Sequence, residues 1–95
     1  MRLEDVSVTE LEGKVSAGPV APLRVGATND PHRRAGEYKT EYSENATMYY
    51  AKTSNMRTAE NKLLAKCAER GACSFNVQQQ SNALAAPGYI YAIFP

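Results

Sequence analysis

The stretch before the C-terminal proline restricts most strongly how this chain can fold. Gly88-Tyr89-Ile90-Tyr91-Ala92-Ile93-Phe94 is rich in aromatic and β-branched residues, which predicts a strand. This stretch is too apolar to be solvated on both faces, so other elements must pack against it. Because 95 residues are enough for one hydrophobic core and not for two, we expect a single domain over residues 1–95.

Two helices are predicted from their start and stop signals. The first covers Pro31 to about Thr40, because Asn29-Asp30 offers two good N-cap residues and proline suits the first helical position. The second covers Thr58–Arg70, where small and apolar residues recur at helical spacing and Gly71 follows as a C-cap.

Further strands are predicted at Val6–Val8, Leu23–Val25, Ala46–Ala51 and Cys73–Val77, with a loop at Gly13–Pro22. The connections between these elements are too varied for a regular βαβ repeat. The pattern predicts an α+β fold in which two main helices pack on a small mixed or antiparallel sheet.

The distribution of charge permits a polyanionic partner. Residues 1–12 carry one Arg against four acids, whereas the remainder carries ten Lys or Arg against six acids, a difference of +4. No apolar run approaches the ~20 residues that cross a bilayer, and acidic residues stand where a secretory signal would be apolar. We therefore expect no membrane association and a cytoplasmic location, with Cys67 and Cys73 as reduced thiols rather than a single disulfide in an exported chain.

Arg34 is the first candidate for a functional residue. It lies eight residues beyond Gly26, which ends a predicted strand, and it shares a helix face with Tyr38, four residues on. An arginine in this position can direct a planar, permanently charged fork at a phosphate. The alternative is that Arg33 and Arg34 are solvated surface residues.

Glu60 is the second candidate, because it stands on the apolar side of its predicted helix, just before Leu63 and Leu64. A carboxylate there suits a Mg²⁺ ligand, since hard divalent cations prefer carboxylate oxygen. The alternative is an acid in the first helical turn that complements the helix dipole.

Lys62, Lys66 and Arg70 recur at four-residue spacing and form a basic stripe, which can neutralise a row of phosphates or simply be solvated. The strand tyrosines Tyr49, Tyr50, Tyr89 and Tyr91 can stack, donate protons or be half-buried sheet residues. His32 is the only imidazole, so a metal site built from several histidines is excluded within this chain.

A resemblance to a known family lies in residues 24–38, R-V-G-A-T-N-D-P-H-R-R-A-G-E-Y. This run resembles the second half of the signature of GIY-YIG endonuclease domains, in which Tyr-Ile-Gly, a Thr/Ser-Asn-Asp turn and a helical Arg precede a Tyr or His. Residues 48–50 and 59–64 look like the third strand and the metal-binding helix of that family.

The resemblance implies phosphodiester hydrolysis with one divalent metal, here Mg²⁺. Glu60 would hold the ion, Arg34 would stabilise charge on the phosphate, and a Tyr would help to activate water. The catalytic residues implied are Arg34, Tyr38 and Tyr91. The residues expected to contact DNA are Arg24, Arg33, Lys62, Lys66 and Arg70.

The sequence departs from the family pattern in both motifs. Arg24 replaces the Tyr of Tyr-Ile-Gly, and no Gly-Ile-Tyr strand lies upstream, whereas Gly88-Tyr89-Ile90-Tyr91 stands at the C-terminus. Either the first strand is permuted, with Tyr91 or Tyr89 supplying the phenol, or Val6–Val8 forms a plain first strand and the domain does not cleave.

Two classes of function follow. The first is a GIY-YIG-like domain that acts on DNA, by metal-dependent hydrolysis or by binding without cleavage. The second is a small protein-interaction domain that uses Tyr49, Tyr50 and the C-terminal strand, if that strand is an open edge able to accept another chain.

Overall fold

A computed structural model describes residues 1–71 and 81–95. The strand predicted at Cys73–Val77 lies outside these residues. The elements, in chain order, are β1 (Arg2–Asp5), α1 (Val8–Ala17), β2 (Arg24–Thr28), α2 (Pro31–Tyr38), β3 (Thr47–Thr53), α3 (Met56–Glu69) and β4 (Gly88–Phe94).

The four strands form one mixed sheet in the order β1-β3-β4-β2. β1 runs parallel to β3, whereas β4 runs antiparallel to both of its neighbours, β3 and β2. The predicted α+β fold with a small mixed sheet is therefore confirmed. The apolar C-terminal strand occupies the interior of the sheet, which explains why it carries no charged side chain.

Helices cover both faces of the sheet. Ile90, Ala92 and Phe94 of β4 point toward α1 and α3 and belong to one core cluster with Leu63 and other apolar residues of those helices. The alternate residues Tyr91 and Ile93 point the opposite way and pack with residues of α2, as expected from the two-residue period of a strand. We call these the α1/α3 face and the α2 face.

The N-terminal region corrects two predictions. The predicted strand Val6–Val8 is wrong, because β1 ends at Asp5 and Ser7 caps α1 by accepting a hydrogen bond from the Glu10 amide (3.1 Å). The predicted loop Gly13–Pro22 is wrong up to Ala17, where α1 ends. Ser7 and Glu10 have the spacing of a capping box, and this signal outweighs the low helix propensity of a glycine within the helix.

The other two helices confirm the predicted capping signals. Asp30 caps α2 by accepting from the Arg33 amide (3.1 Å), and Pro31 is the first helical residue. Asn55 caps α3 in the same way, and Gly71 follows that helix with a φ of +75°, a conformation that glycine adopts without strain.

Cys67 lies on α3, is fully buried and is disulfide-bonded. The prediction of a reduced thiol at this position is therefore wrong. It rested on the small number of cysteines, and that number does not determine whether a cysteine is reduced or disulfide-bonded. Cys73 lies outside the described residues.

Within residues 1–71 and 81–95, no helix combines the length and the apolar character that a membrane span requires.

Candidate functional site

The glycine of the predicted phosphate motif makes room for a tyrosine. Tyr91 pairs in register with Gly26 of β2 and with Tyr50 of β3. Its ring lies across Gly26, because a Cβ atom at that position would come within 2.8 Å of Tyr91 Cε2 and closer still to the phenol oxygen. Gly26 therefore lets Tyr91 reach over β2 toward α2.

Tyr91 and Tyr38 form a buried pair of phenols. Their hydroxyl oxygens lie 2.9 Å apart, and Tyr91 is only 3% exposed. Burial raises the pKa of Tyr91, and the hydrogen bond to Tyr38 raises it further. Tyr91 therefore holds its proton at neutral pH and serves here as a hydrogen-bonding group.

Arg24 is directed into the same network. Its Nη1 donates to the Tyr38 hydroxyl (3.1 Å) and its Nε to the Tyr42 hydroxyl (2.8 Å), while its guanidinium carbon lies 4.9 Å from the centre of the Tyr38 ring. Burial disfavours the charged form, but the two hydrogen bonds raise the pKa of Arg24 above its ordinary value. Arg24, which was predicted to contact DNA, thus holds two aromatic residues of this face together, Tyr38 and Tyr42.

Arg34 lines an open cavity beside this network. The cavity has a volume of about 210 Å³ and is also lined by Arg33, by Thr28 at the end of β2, and by residues 82–84. Arg34 is half-buried, and its Nε is buried without a hydrogen-bond partner among the described residues. We call this space the Arg34 cavity.

The charges of the two arginines are partly offset by one acid. The Glu37 carboxylate lies 3.3 Å from Nη1 of Arg34 and 3.9 Å from Nη1 of Arg33. All three side chains are at least one-third exposed, so these ion pairs are weak and a ligand can displace them.

Glu60 contacts the segment of chain that lines one side of the Arg34 cavity. The Ser81 hydroxyl donates to its carboxylate, and the Ser81 amide donates to Oδ1 of Asn61 (2.7 Å). Ser81 precedes Asn82, a lining residue of the cavity, whereas Glu60 is not one of its lining residues. Arg34 and Glu60 are thus connected through residues 81–84.

The donor set for a metal ion is small. Within the described parts of the chain, no three His, Cys, Asp or Glu side chains cluster as a metal site would require. Mg²⁺ is usually held by one or two carboxylates together with water and substrate phosphates. Glu60 can supply one carboxylate, which fits only an ion that also takes phosphate oxygens from a substrate.

The basic stripe lies on the other side of the sheet from Arg34. Lys62 lines a separate cavity together with Glu12 of α1. Arg70 donates to the carbonyl oxygens of Val15 (3.3 Å) and Gly18 (2.6 Å) and so satisfies the C-terminal end of α1. The residues predicted to contact DNA are therefore divided between two faces of the molecule.

A group of three rings on the α2 face was not predicted as a unit. The ring centroids of His32 and Tyr50 lie 6.0 Å apart, and those of Tyr50 and Tyr89 lie 5.9 Å apart. Tyr49, adjacent to Tyr50 in sequence, points to the α1/α3 face and packs against Phe94. We call His32, Tyr50 and Tyr89 the aromatic platform. The alternation of side chains along a strand is enough to place Tyr49 and Tyr50 on opposite faces. The contact between Tyr50 and Tyr89 follows only from the pairing of β3 with β4.

The expected open edge at the C-terminal strand is wrong. β4 is paired on both sides, with β3 and with β2, so its backbone cannot accept another chain. Tyr49 and Tyr50 also point to opposite faces and cannot form one binding surface. Among the strands of residues 1–71 and 81–95, β1 and β2 lie at the edges of the sheet.

Scans against protein-family models, curated proteins and solved structures found no match to this chain.

Proposed function

We propose that this domain binds DNA through its α2 face, with a backbone phosphate seated in the Arg34 cavity. The observation that carries the proposal is the half-buried Arg34, which lines an open cavity and keeps 34% of its side chain exposed. Its Nε is buried and makes no hydrogen bond within residues 1–71 and 81–95, so Nη1 and Nη2 are the groups through which this guanidinium would reach a ligand. A phosphate oxygen would accept a charge-assisted hydrogen bond from them.

The surroundings of the cavity favour an anion. Arg33 adds a second positive charge to the same lining, and the guanidinium groups carry fixed forks of donors that match phosphate geometry. Glu37 opposes an anion, but it is exposed and lies at ion-pair distance from both arginines, so the bound phosphate would compete with it.

Binding of a short fluorescent DNA, followed by polarisation between about 50 and 200 mM salt, tests the proposal. We expect Arg34→Gln to weaken binding about tenfold or more and to reduce the salt slope by about 1. Glu37→Gln should tighten binding roughly two- to fivefold, because it removes the competing carboxylate.

Lys62→Gln is the matched control, since it also removes one positive charge but lies next to α1. It should change the affinity much less than Arg34→Gln. Equal effects of the two variants would show that binding is not centred on the Arg34 cavity, and absence of binding at low salt would refute the proposal.

Metal-dependent hydrolysis of DNA is a second candidate, favoured by the pairing of β4 with β2. This pairing sets Tyr89–Tyr91 antiparallel to Gly26–Thr28, so most of the C-terminal Gly-Tyr-Ile-Tyr run lies beside the strand of the second motif, which favours the permuted arrangement. Glu60 would hold Mg²⁺ together with substrate phosphate, and the ion would supply charge stabilisation on the phosphate. Arg34 would orient that phosphate, while the hydrogen-bonded phenols of Tyr38 and Tyr91 would hold Arg24 in position.

Nicking of supercoiled plasmid in the presence of Mg²⁺ tests this candidate. We expect cleavage by the native chain and its loss in both Arg34→Gln and Glu60→Gln, with unchanged thermal unfolding. If the native chain binds DNA and leaves the plasmid intact, the domain is a binding module only. Cleavage that persists in Glu60→Gln would exclude this residue as the metal ligand.

A further inference from the structure

We infer that the aromatic platform stacks on an unpaired base, so that the ligand of this face is single-stranded DNA. The inference rests on the proposed function and adds to it the class of nucleic acid. It starts from the three rings of His32, Tyr50 and Tyr89, which contact one another edge to face at interplanar angles of 64° and 73°. A base would therefore stack on one of these rings and not on all three.

The register of the sheet shows why these rings are accessible. α2 packs over Met48 and Ile93, which pair with each other near one end of β3 and β4. Tyr50 and Tyr89 lie on the same face but farther along the two strands, where they are only half-buried. His32 is exposed in the first turn of α2, so the platform lies beside the helix rather than beneath it.

The platform adjoins the Arg34 cavity. Thr28 pairs in register with Tyr89 and also lines the cavity. A nucleotide whose phosphate sits in the cavity therefore has its base directed over the neighbouring strand, where Tyr89 lies. Lys52, the other register partner of Tyr89, is exposed and adds a positive charge on the far side of the ring.

Charge also indicates the path of the DNA backbone across the aromatic platform. Asp5 pairs in register with Tyr50 at the β1 edge and is exposed, so phosphates are disfavoured there. The cations Arg33, Arg34 and Lys52 flank the opposite end of the platform. We expect the backbone to follow these cations while the bases face the rings.

This combination distinguishes single strands from duplex. Aromatic side chains can stack on a base only if its face is free, and a positive groove beside stacked rings is the common design of single-strand binders. In a duplex each base face is covered by its neighbours, so duplex DNA would engage the arginines alone.

The test compares single-stranded and duplex forms of one short DNA containing 2-aminopurine. We expect the single strand to bind about tenfold more tightly than the duplex and its fluorescence to change on stacking. Tyr89→Leu should lose about tenfold in affinity for the single strand and little for the duplex, whereas Tyr89→Phe should bind as the native chain does, because the ring is kept.

Tyr49→Leu is the matched control, since Tyr49 stands on the α1/α3 face. An equal loss in Tyr49→Leu, equal affinity for duplex, or a loss in Tyr89→Phe as large as in Tyr89→Leu would each overturn the stacking inference. If the two forms bind equally and Arg34→Gln still weakens both, the inference fails while the proposed function stands. If neither form binds, both fail.

Discussion

The two faces of the sheet differ in the kinds of side chain that are buried on them. On the α1/α3 face, the core holds apolar side chains such as Leu11, Leu63 and Ile90, all fully buried. On the α2 face, the buried groups include the phenols of Tyr38 and Tyr91, held in a network with Arg24. A face that only needs to exclude water is most stably built from apolar side chains. We therefore expect the α1/α3 face to supply most of the stability, and the α2 face is where we propose that the ligand binds.

The largest effect on stability is expected from Leu63→Ala on the α1/α3 face. Leu63 is 0% exposed, and removal of a buried leucine side chain costs about 2–5 kcal/mol of unfolding free energy. Urea denaturation measures the loss. DNA affinity of the folded fraction should be unchanged, and a large loss of affinity at full folding would break the division between the faces.

Gly26→Ala should affect both properties. A methyl group at this position overlaps the Tyr91 ring, which Tyr38 holds in place, so we expect a loss of about 1–3 kcal/mol. DNA binding should weaken as well, because Tyr91 is hydrogen-bonded to Tyr38, which stands one turn after Arg34 on α2. Thermal unfolding and polarisation on the same sample check this, and an unchanged affinity would separate the phenol network from the binding site.

Alkaline pH should lower the free energy of unfolding through Tyr91 of the α2 face. The pKa of Tyr91 is raised by burial, so the folded chain keeps this proton while the unfolded chain loses it above its pKa of about 10. Stability is therefore full below that pH and falls as pH rises, by about 1 kcal/mol between pH 10 and 11. Urea denaturation at both pH values measures this, and the fall should be smaller in Tyr91→Phe.

Arg70→Gln should have the smallest effect. The guanidinium donates to two carbonyl oxygens at the end of α1, and glutamine can replace part of this, so we expect a loss of about 0.5–1 kcal/mol. DNA affinity should stay the same, as read by polarisation. A marked loss of affinity would show that the basic stripe of Lys62, Lys66 and Arg70 contributes to DNA binding.

Local signals in the sequence were sufficient for several elements. Asn29-Asp30 before Pro31 located α2, and the apolar spacing before Gly71 located α3, because caps and helical period are properties of adjacent residues. The capping box at Ser7 and Glu10 is an equally local signal. It was not used in the prediction, which therefore placed a strand and a loop where α1 lies.

Long-range pairing was not readable in the same way. The interior position of β4 depends on which strands pair, and the placement of Tyr91 over Gly26 depends on the register of that pairing. The sequence therefore made Arg34 a candidate for phosphate binding, which stays a prediction, but it could not indicate the cavity beside Arg34 or the aromatic platform next to that cavity.

Titration of the ¹⁵N-labelled chain with a short single-stranded DNA tests the central claim most directly. We expect the Arg34 Nε–H resonance and the amides of residues 28–30, 32–34, 50–52 and 89–91 to shift together, with those of α1 and the outer side of α3 unchanged. Shifts concentrated at Lys62, Lys66 and Arg70, with the Arg34 resonance unmoved, would contradict the assignment of ligand binding to the α2 face.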